Sequence, residues 1–297
     1  MKNIKKPVFK GVGTALVTPF SDGVIDYDAL YRLIDTQICA GVDALIIGGT
    51  TGEAATLSHD ERSALYEWSM RKIGGRCKVI LGTGTNDTRV AVAHTKFAYD
   101  LGADAALVVT PYYNKGTEEG IFRHYSTIAD CSSLPIILYN VPSRTGVNLG
   151  LNLLSRLAKH ENIVGLKEAG DSCDRLVSLA ALGDELPLYA GNDSQIYPTL
   201  ALGGLGVISV ASNIMPSCVK KITDEFFSGN TKEALKIQLE LLPFIKSLFI
   251  ETNPAPIKLA LSSLGLIKEE LRLPLAPVRE STKEAVLEEL SKVSHLM

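Results

Sequence analysis

Cysteine is sparse in this chain, and its pattern is not that of a disulfide framework. Five residues, Cys39, Cys77, Cys131, Cys173 and Cys218, lie far apart, odd in number and without a CxxC pair. Reduced thiols inside a cell are expected. No apolar run approaches the roughly 20 residues of a membrane span. The opening Met1-Lys2-Asn3-Ile4-Lys5-Lys6-Pro7 is basic, yet it is not followed by the roughly 7 to 15 apolar residues of a signal peptide. A cytoplasmic location is the expectation. Charge of one sign is also missing: 30 Lys plus Arg stand against 33 Asp plus Glu, a net charge of -3. Neither a nucleic-acid backbone nor an anionic membrane surface is therefore an expected partner.

Ligand-gripping motifs are missing too. The histidines His59, His94, His124, His160 and His295 are dispersed and form none of the close pairings that build zinc or iron sites. No GxxxxGK[ST] occurs, and Gly82-Thr83-Gly84-Thr85-Asn86-Asp87 lacks the third glycine of the dinucleotide fingerprint. The cluster Gly203-Gly204-Leu205-Gly206 reads as a helix stop and turn rather than a phosphate grip. No metal and no cofactor is expected.

What is present is a chain of 297 residues, 46% hydrophobic and 21% charged, which excludes disorder, collagen and coiled coil. Short runs rich in Val, Ile and Leu recur, each ending in a small polar cluster and followed by a helix-length amphipathic segment. Strands are expected at Thr14–Thr18, Asp43–Gly48, Lys78–Gly82, Ala105–Thr110, Pro135–Tyr139, Ile163–Lys167, Leu186–Ala190 and Gly206–Val210. The runs are continuous rather than alternating, as in parallel strands covered on both faces. Ser58-His59-Asp60-Glu61 is a capping box, Asp26 and Thr117 stand as N-caps, and Gly41, Gly102 and Gly183 stand as helix stops. Eight rounds of strand and helix predict an α/β fold, a (β/α)8 TIM barrel, with an open doubly wound sheet as the structural rival. From about Met215 only helices are expected: 216–227, 231–250, 255–264 and 281–293, the last opened by a second capping box at Ser281-Thr282-Lys283-Glu284. The expected domains are a catalytic barrel over residues 1–228 and a C-terminal all-helical annex over 229–297.

Chemistry in such a barrel sits at the carboxyl ends of the strands. Lys167 ends the apolar run Ile163-Val164-Gly165-Leu166. Burial of an ammonium favours the neutral amine, the form that attacks a carbonyl. The structural alternative is a lysine that snorkels or pairs with Glu168. Tyr139 ends the neighbouring strand, where a phenol could shuttle protons or simply pack in the core. Thr50 and Thr51, flanked by Gly48, Gly49 and Gly52, offer hydroxyls and amides to a small carboxylate, or form a plain tight turn. Arg144 offers a planar fork to a second carboxylate, or is a solvated surface residue. Tyr112 and Tyr113 are adjacent in a polar loop, so one of them is expected to point outward.

Thr50-Thr51-Gly52-Glu53, Thr110-Pro111-Tyr112-Tyr113-Asn114, Tyr139-Asn140-Val141-Pro142-Ser143-Arg144-Thr145-Gly146 and Gly165-Leu166-Lys167-Glu168-Ala169 together carry a specific resemblance. By them the chain resembles the dihydrodipicolinate synthase family of the N-acetylneuraminate lyase superfamily, over nearly its whole length. The resemblance implies a class I aldolase-type condensation opening the diaminopimelate and lysine branch. Lys167 would form an imine with pyruvate, and the derived enamine would attack L-aspartate 4-semialdehyde. It implies that Tyr139 and Thr51 carry protons and that Tyr113 completes the relay across a subunit interface. Thr50 and Thr51 would hold the pyruvate carboxylate, Arg144 that of the semialdehyde, with Gly191 and Ile208 contributing carbonyls. A homotetramer built as a dimer of dimers is implied. The runner-up is a pyruvate-dependent lyase or aldolase acting on a sugar-derived 2-keto acid, disfavoured because such enzymes lack the Pro-Ser-Arg-Thr pattern around Arg144. A keto-acid sensor without turnover is a third reading, disfavoured because pure binding needs no nucleophilic amine.

Family members are often inhibited by lysine at the dimer interface, and His59, Asn86 and Tyr112 match that site. Val90 stands where sensitive enzymes carry a glutamate, Arg62 replaces a histidine and Ala54 a serine. A positive charge enters as a negative one leaves, so weak or absent feedback is expected.

Overall fold

The apolar runs are buried along nearly their whole length, Lys78 and Val109 apart, which is why they read as continuous rather than alternating. In the computed structural model, which describes residues 4–296, they form eight parallel strands: β1 (Gly11–Ala15), β2 (Ala44–Ile47), β3 (Lys78–Gly82), β4 (Ala105–Val109), β5 (Ile136–Asn140), β6 (Ile163–Glu168), β7 (Leu188–Ala190) and β8 (Gly206–Ser209). They close into a barrel in the order β1-β8-β7-β6-β5-β4-β3-β2, and the open sheet is excluded. The strands alternate with α1 (Tyr27–Cys39), α2 (His59–Ile73), α3 (Thr88–Asp100), α4 (Glu118–Asp130), α5 (Leu151–Leu157), α6 (Cys173–Ala180), α7 (Ile196–Ala201) and α8 (Pro216–Phe227). Beyond them come α9 (Thr231–Ser247), α10 (Ala255–Ser263) and α11 (Glu280–Val293). None of the described helices is long and apolar enough to cross a membrane.

By contacts the chain forms two compact units, one of Lys78–Ile208 with the residues up to Lys10, the other of Gly11–Cys77 with Ser209 onward. In the first, β3 to β7 pair in sequence order. At β5 and β6 the register sets Tyr139 beside Lys167 and Asn140 beside Glu168. Phe9 stacks on Tyr189, with ring centroids 4.5 Å apart, and its carbonyl accepts from the Tyr189 hydroxyl at 2.7 Å. In the second unit, β1 pairs with β2, and the C-terminal helices pack chiefly α8 on α9, α9 on α11 and α10 on α11.

The capping box at Ser58 is present with both reciprocal bonds, and the Asp26 and Thr117 side chains cap α1 and α4. The box expected at Ser281 is absent. The helix begins one residue earlier, with Arg279 in the capping position, and the Glu251 carboxylate accepts the Arg279 amide at 3.0 Å, so the end is satisfied from outside. β1 starts three residues before its expected position, because its glycines serve the strand rather than a turn. Asp43 accepts the Val12 amide at 2.8 Å, and beyond Ala15 the chain is held by side chains, Val17 donating its amide to Asn213 Oδ1 at 3.0 Å. A hairpin of Phe20–Ser21 and Val24–Ile25 went unanticipated, although its Asp22-Gly23 turn is a strong hairpin signal. Glu270 accepts both turn amides, at 2.8 and 2.7 Å.

Candidate active site

β6 delivers Lys167 and Glu168 to opposite faces of the sheet, since successive side chains alternate. Both are buried. The Lys167 Nζ lies 4.3 Å from the centroid of the Tyr139 ring, itself buried at the end of β5. Thr110 secures that strand end by donating both its amide (2.9 Å) and its hydroxyl (3.0 Å) to the Tyr139 carbonyl. Sequence left open a pairing of Lys167 with Glu168, and the geometry closes that option. The Glu168 carboxylate accepts from Arg175 Nε at 2.9 Å, from Asn140 Nδ2 at 2.9 and 3.0 Å, and from the Gly170 amide at 2.7 Å. Asn140 Oδ1 in turn accepts the Leu149 amide, and Arg175 donates to the Leu149 carbonyl. This buried clamp ties the ends of β5 and β6 together behind the amine and the phenol. It leaves Lys167 beside an aromatic face, with no ion pair among the described residues.

Arg144 lies in the last residues of the helical turn Pro142–Thr145 and is exposed. Gly191 follows β7 and donates its amide to the Glu168 carbonyl at 2.6 Å; a Cβ there would collide with that carbonyl and with Ala169. Ile208 is fully buried in β8. Of the adjacent tyrosines, Tyr112 is half-buried and Tyr113 is 90% exposed in a left-handed backbone (φ 71°), so one does point outward. Its loop is held by reciprocal amides: Asn86 Nδ2 donates to the Tyr112 carbonyl at 3.2 Å and Asn114 Nδ2 to the Asn86 carbonyl at 3.0 Å.

The second unit carries the Thr50-Thr51-Gly52-Glu53 loop after β2. It turns through Gly48, whose φ of 66° and contact with the Tyr66 ring admit no side chain. Thr50 is half-buried and Thr51 buried, its Oγ1 accepting from Asn253 Nδ2 at 3.0 Å. Thr18 donates its hydroxyl to the Gly52 carbonyl at 2.8 Å. Glu53, left-handed at φ 54°, is fully buried in an ion pair with Lys258 and accepts the Arg272 amide at 3.0 Å. Burial pushes the Lys258 ammonium down from its ordinary value, and the Glu53 charge pulls it back. Arg272 pairs with Glu61, whose carboxyl is held down to about 2 chiefly by that hydrogen bond. His59 is exposed at the start of α2, Val90 is exposed on α3, and Arg62 donates to the Ala54 carbonyl at 2.6 Å and to the Tyr66 hydroxyl at 3.4 Å.

Sequence reasoning missed Asn140, Glu168 and Arg175 as a clamp, and Asn253 and Lys258 altogether. One signal was available: Lys258 stands inside Ala255-Pro256-Ile257-Lys258-Leu259-Ala260-Leu261, and a lysine in so apolar a helix requires a buried partner. Among the described residues no group of three or more His, Cys, Asp or Glu could hold a metal ion.

A model of the Dihydrodipicolinate synthetase family matches residues 8–293. The 4-hydroxy-tetrahydrodipicolinate synthase of Alkaliphilus oremlandii is 47% identical over 286 residues, covering 96% of this chain and 99% of its own. Among solved structures, the dihydrodipicolinate synthase of Thermotoga maritima aligns with a TM-score of 0.95 at 42% identity, covering 98% of this chain and all of its own. The chloride-inhibited enzyme of Acinetobacter baumannii, solved in complex with pyruvate, aligns with a TM-score of 0.93 at 40% identity, covering 96% of this chain and 99% of its own. The chain is a member of the dihydrodipicolinate synthetase family.

Proposed function

We propose that this protein condenses pyruvate with L-aspartate 4-semialdehyde through an imine on Lys167, giving 4-hydroxy-tetrahydrodipicolinate. The observation that carries the reading is the buried Lys167 amine, 4.3 Å from the Tyr139 ring centroid, while the adjacent Glu168 is committed to Arg175 and Asn140. The Lys167 amine adds to the pyruvate carbonyl and water leaves, forming the imine. Loss of a methyl proton gives the enamine, whose carbon attacks the semialdehyde's aldehyde. The semialdehyde's own amine then displaces Lys167 from the imine carbon, closing the ring and restoring the free lysine. One water is released overall, and no electrons are exchanged.

In this reading Tyr139 and Thr51 carry protons to and from the imine and the aldehyde oxygen. Thr50 and Thr51 bind the pyruvate carboxylate, Arg144 binds that of the semialdehyde by its planar fork, and the carbonyls near Gly191 and Ile208 border the reacting carbons. Residues 1–228 act as the catalytic barrel and 229–297 as a helical annex. The exposed Tyr113 supports a homotetramer, a dimer of dimers, in which it completes a neighbour's relay. The protein works in the cytoplasm and takes neither metal nor cofactor. Lysine feedback is weak or absent, because Arg62 adds a cation on α2 and Val90 supplies no acid for an incoming ammonium.

The test is turnover of pyruvate with L-aspartate semialdehyde, coupled to the next reductase and followed by NADPH loss, beside Lys167→Ala. Turnover that vanishes in the variant supports the reading. No turnover with a borohydride-trapped pyruvate adduct on Lys167 moves the assignment to a sugar-acid aldolase, and no adduct at all favours a sensor.

A further inference from the structure

The clamp on Glu168 holds more than two strand ends. The chain leaves β5 at Asn140, makes the helical turn that carries Arg144 and returns to the interior at the buried Leu149, just before α5. Both backbone groups of Leu149 are gripped from the clamp. Its amide donates to Asn140 Oδ1 at 3.1 Å, and its carbonyl accepts from a terminal nitrogen of Arg175 at 2.9 Å. Asn140 Nδ2 also donates to Asn148 Oδ1 at 2.9 Å. Asn140 and Arg175 are in turn joined through the Glu168 carboxylate, which accepts from both. Between these anchors the loop is stiffened from within. The amides of Arg144 and Thr145 both donate to the Val141 carbonyl at 3.0 Å. The buried Thr145 hydroxyl donates to the Val147 carbonyl at 2.9 Å and accepts the Val147 amide at 3.2 Å. Arg144 is thus an exposed side chain on a short, braced loop whose base is organised by one buried carboxylate.

We infer that Glu168 is a positioning residue for the second substrate, acting through Asn140 and Arg175 on the loop that carries Arg144; this rests on the reading of Arg144 as the partner of the semialdehyde's carboxylate. A guanidinium grips a carboxylate with two bonds only when its plane and distance are right, and a side chain on a loop takes both from the loop's base. An ionised carboxylate accepts at both oxygens and donates nothing. Glu168 can therefore hold Asn140 Nδ2 and Arg175 Nε at once, leaving each partner one more group for Leu149. Without the carboxylate, Asn140 and Arg175 lose their common acceptor, both bonds to Leu149 loosen together and Arg144 loses its aim. Lys167 and Tyr139, paired in register, project to the other face of the sheet, so the amine and the phenol keep their neighbours.

The experiment is a double-mutant cycle of Glu168→Gln and Arg144→Ala, reading kcat/KM for each substrate, with the borohydride-trapped Lys167 adduct and the urea midpoint as controls. Glu168→Gln keeps the shape of the side chain and turns one acceptor into a donor that faces other donors. It is expected to lower kcat/KM for the semialdehyde about 10-fold, the scale of one hydrogen bond to a charged group, with kcat/KM for pyruvate and the trapped adduct nearly unchanged. In the Arg144→Ala background the same change is expected to cost nothing further. Arg175→Lys, whose single ammonium cannot bridge Glu168 and Leu149 as the planar fork does, is expected to show the same selective loss and serves if Glu168→Gln does not fold. An equal loss for both substrates, a loss that multiplies in the Arg144→Ala background, or no loss in either clamp variant overturns the inference while leaving Arg144 its role. Undiminished kcat/KM for the semialdehyde in Arg144→Ala alone sinks the reading of Arg144 and this inference with it.

Discussion

Lys167 and Lys258 are both buried at the interior of one protein, and their surroundings could hardly differ more. Lys258 has a carboxylate on its ammonium, a carbonyl from Glu270 at 2.9 Å and the Phe20 ring beside it. Lys167 has an aromatic ring and, among the described residues, no ion pair, although a glutamate is its next neighbour in sequence. Burying an ammonium is costly unless it is paired. The lysine whose burial is compensated holds the fold, and the other is the one proposed for the chemistry. Strand geometry makes the distinction possible: alternation sends Glu168 to the face opposite Lys167, where Arg175 and Asn140 consume it.

The widest separation between the two lysines comes from removing each in turn and asking what is lost. Lys167→Ala is expected to cut turnover by at least about 10³-fold and abolish the borohydride-trapped pyruvate adduct, while the urea midpoint moves little. A variant that keeps turnover would erase the contrast. Tyr139→Phe sharpens it, because the ring beside the Lys167 amine stays and only the hydroxyl goes. If the phenol carries protons, kcat drops by about 10²- to 10⁴-fold with the trapped adduct still forming. If the ring alone matters, the kinetics stay at the wild-type level.

Lys258→Met should show the reverse profile. Leaving Glu53 buried and unpaired is expected to cost about 3–5 kcal/mol of stability in urea unfolding. Glu53→Gln combined with Lys258→Met should recover much of that loss. The pyruvate adduct on Lys167 is expected to form in both. Loss of the adduct without loss of stability would mean that the paired lysine serves the chemistry after all.

How much of this was legible in the sequence follows from the range of the physics involved. The barrel was legible because every strand carries a local signal, an unbroken apolar run closed by small polar residues. Lys167, Tyr139, Thr51 and Arg144 could be nominated from sequence because the chemistry of a barrel sits at and just beyond its strand ends, and strand ends are local too. The clamp on Glu168 was not, since Asn140, Glu168 and Arg175 meet only through the pairing of β5 with β6 and the docking of α6. Nor was the bond from Asn253 to Thr51, which spans 202 residues of chain. The false capping box at Ser281 is the same lesson inverted, because the local pattern was present and a distant carboxylate, Glu251, took its place.

His124 shows a third way for a basic group to be buried, and it gives the smallest effect. Its Nδ1 faces the Thr88 hydroxyl at 2.9 Å, its ring meets Tyr125 edge-on, and burial depresses it from 6.5 to about 4, with Asp87 pulling weakly the other way. It escapes the cost of burial by staying neutral. Below pH 6.5 the unfolded chain takes up a proton that the folded chain refuses until about pH 4. Its contribution is therefore complete above the unfolded value and declines as pH falls from 6.5 toward 4. In His124→Gln that dependence is removed, so the urea-unfolding advantage of wild type over the variant should shrink across this window, by about 1–3 kcal/mol. An advantage that stays constant from pH 7 to 4 would mean the imidazole is as readily charged folded as unfolded, and that neutrality is not how this group tolerates the core.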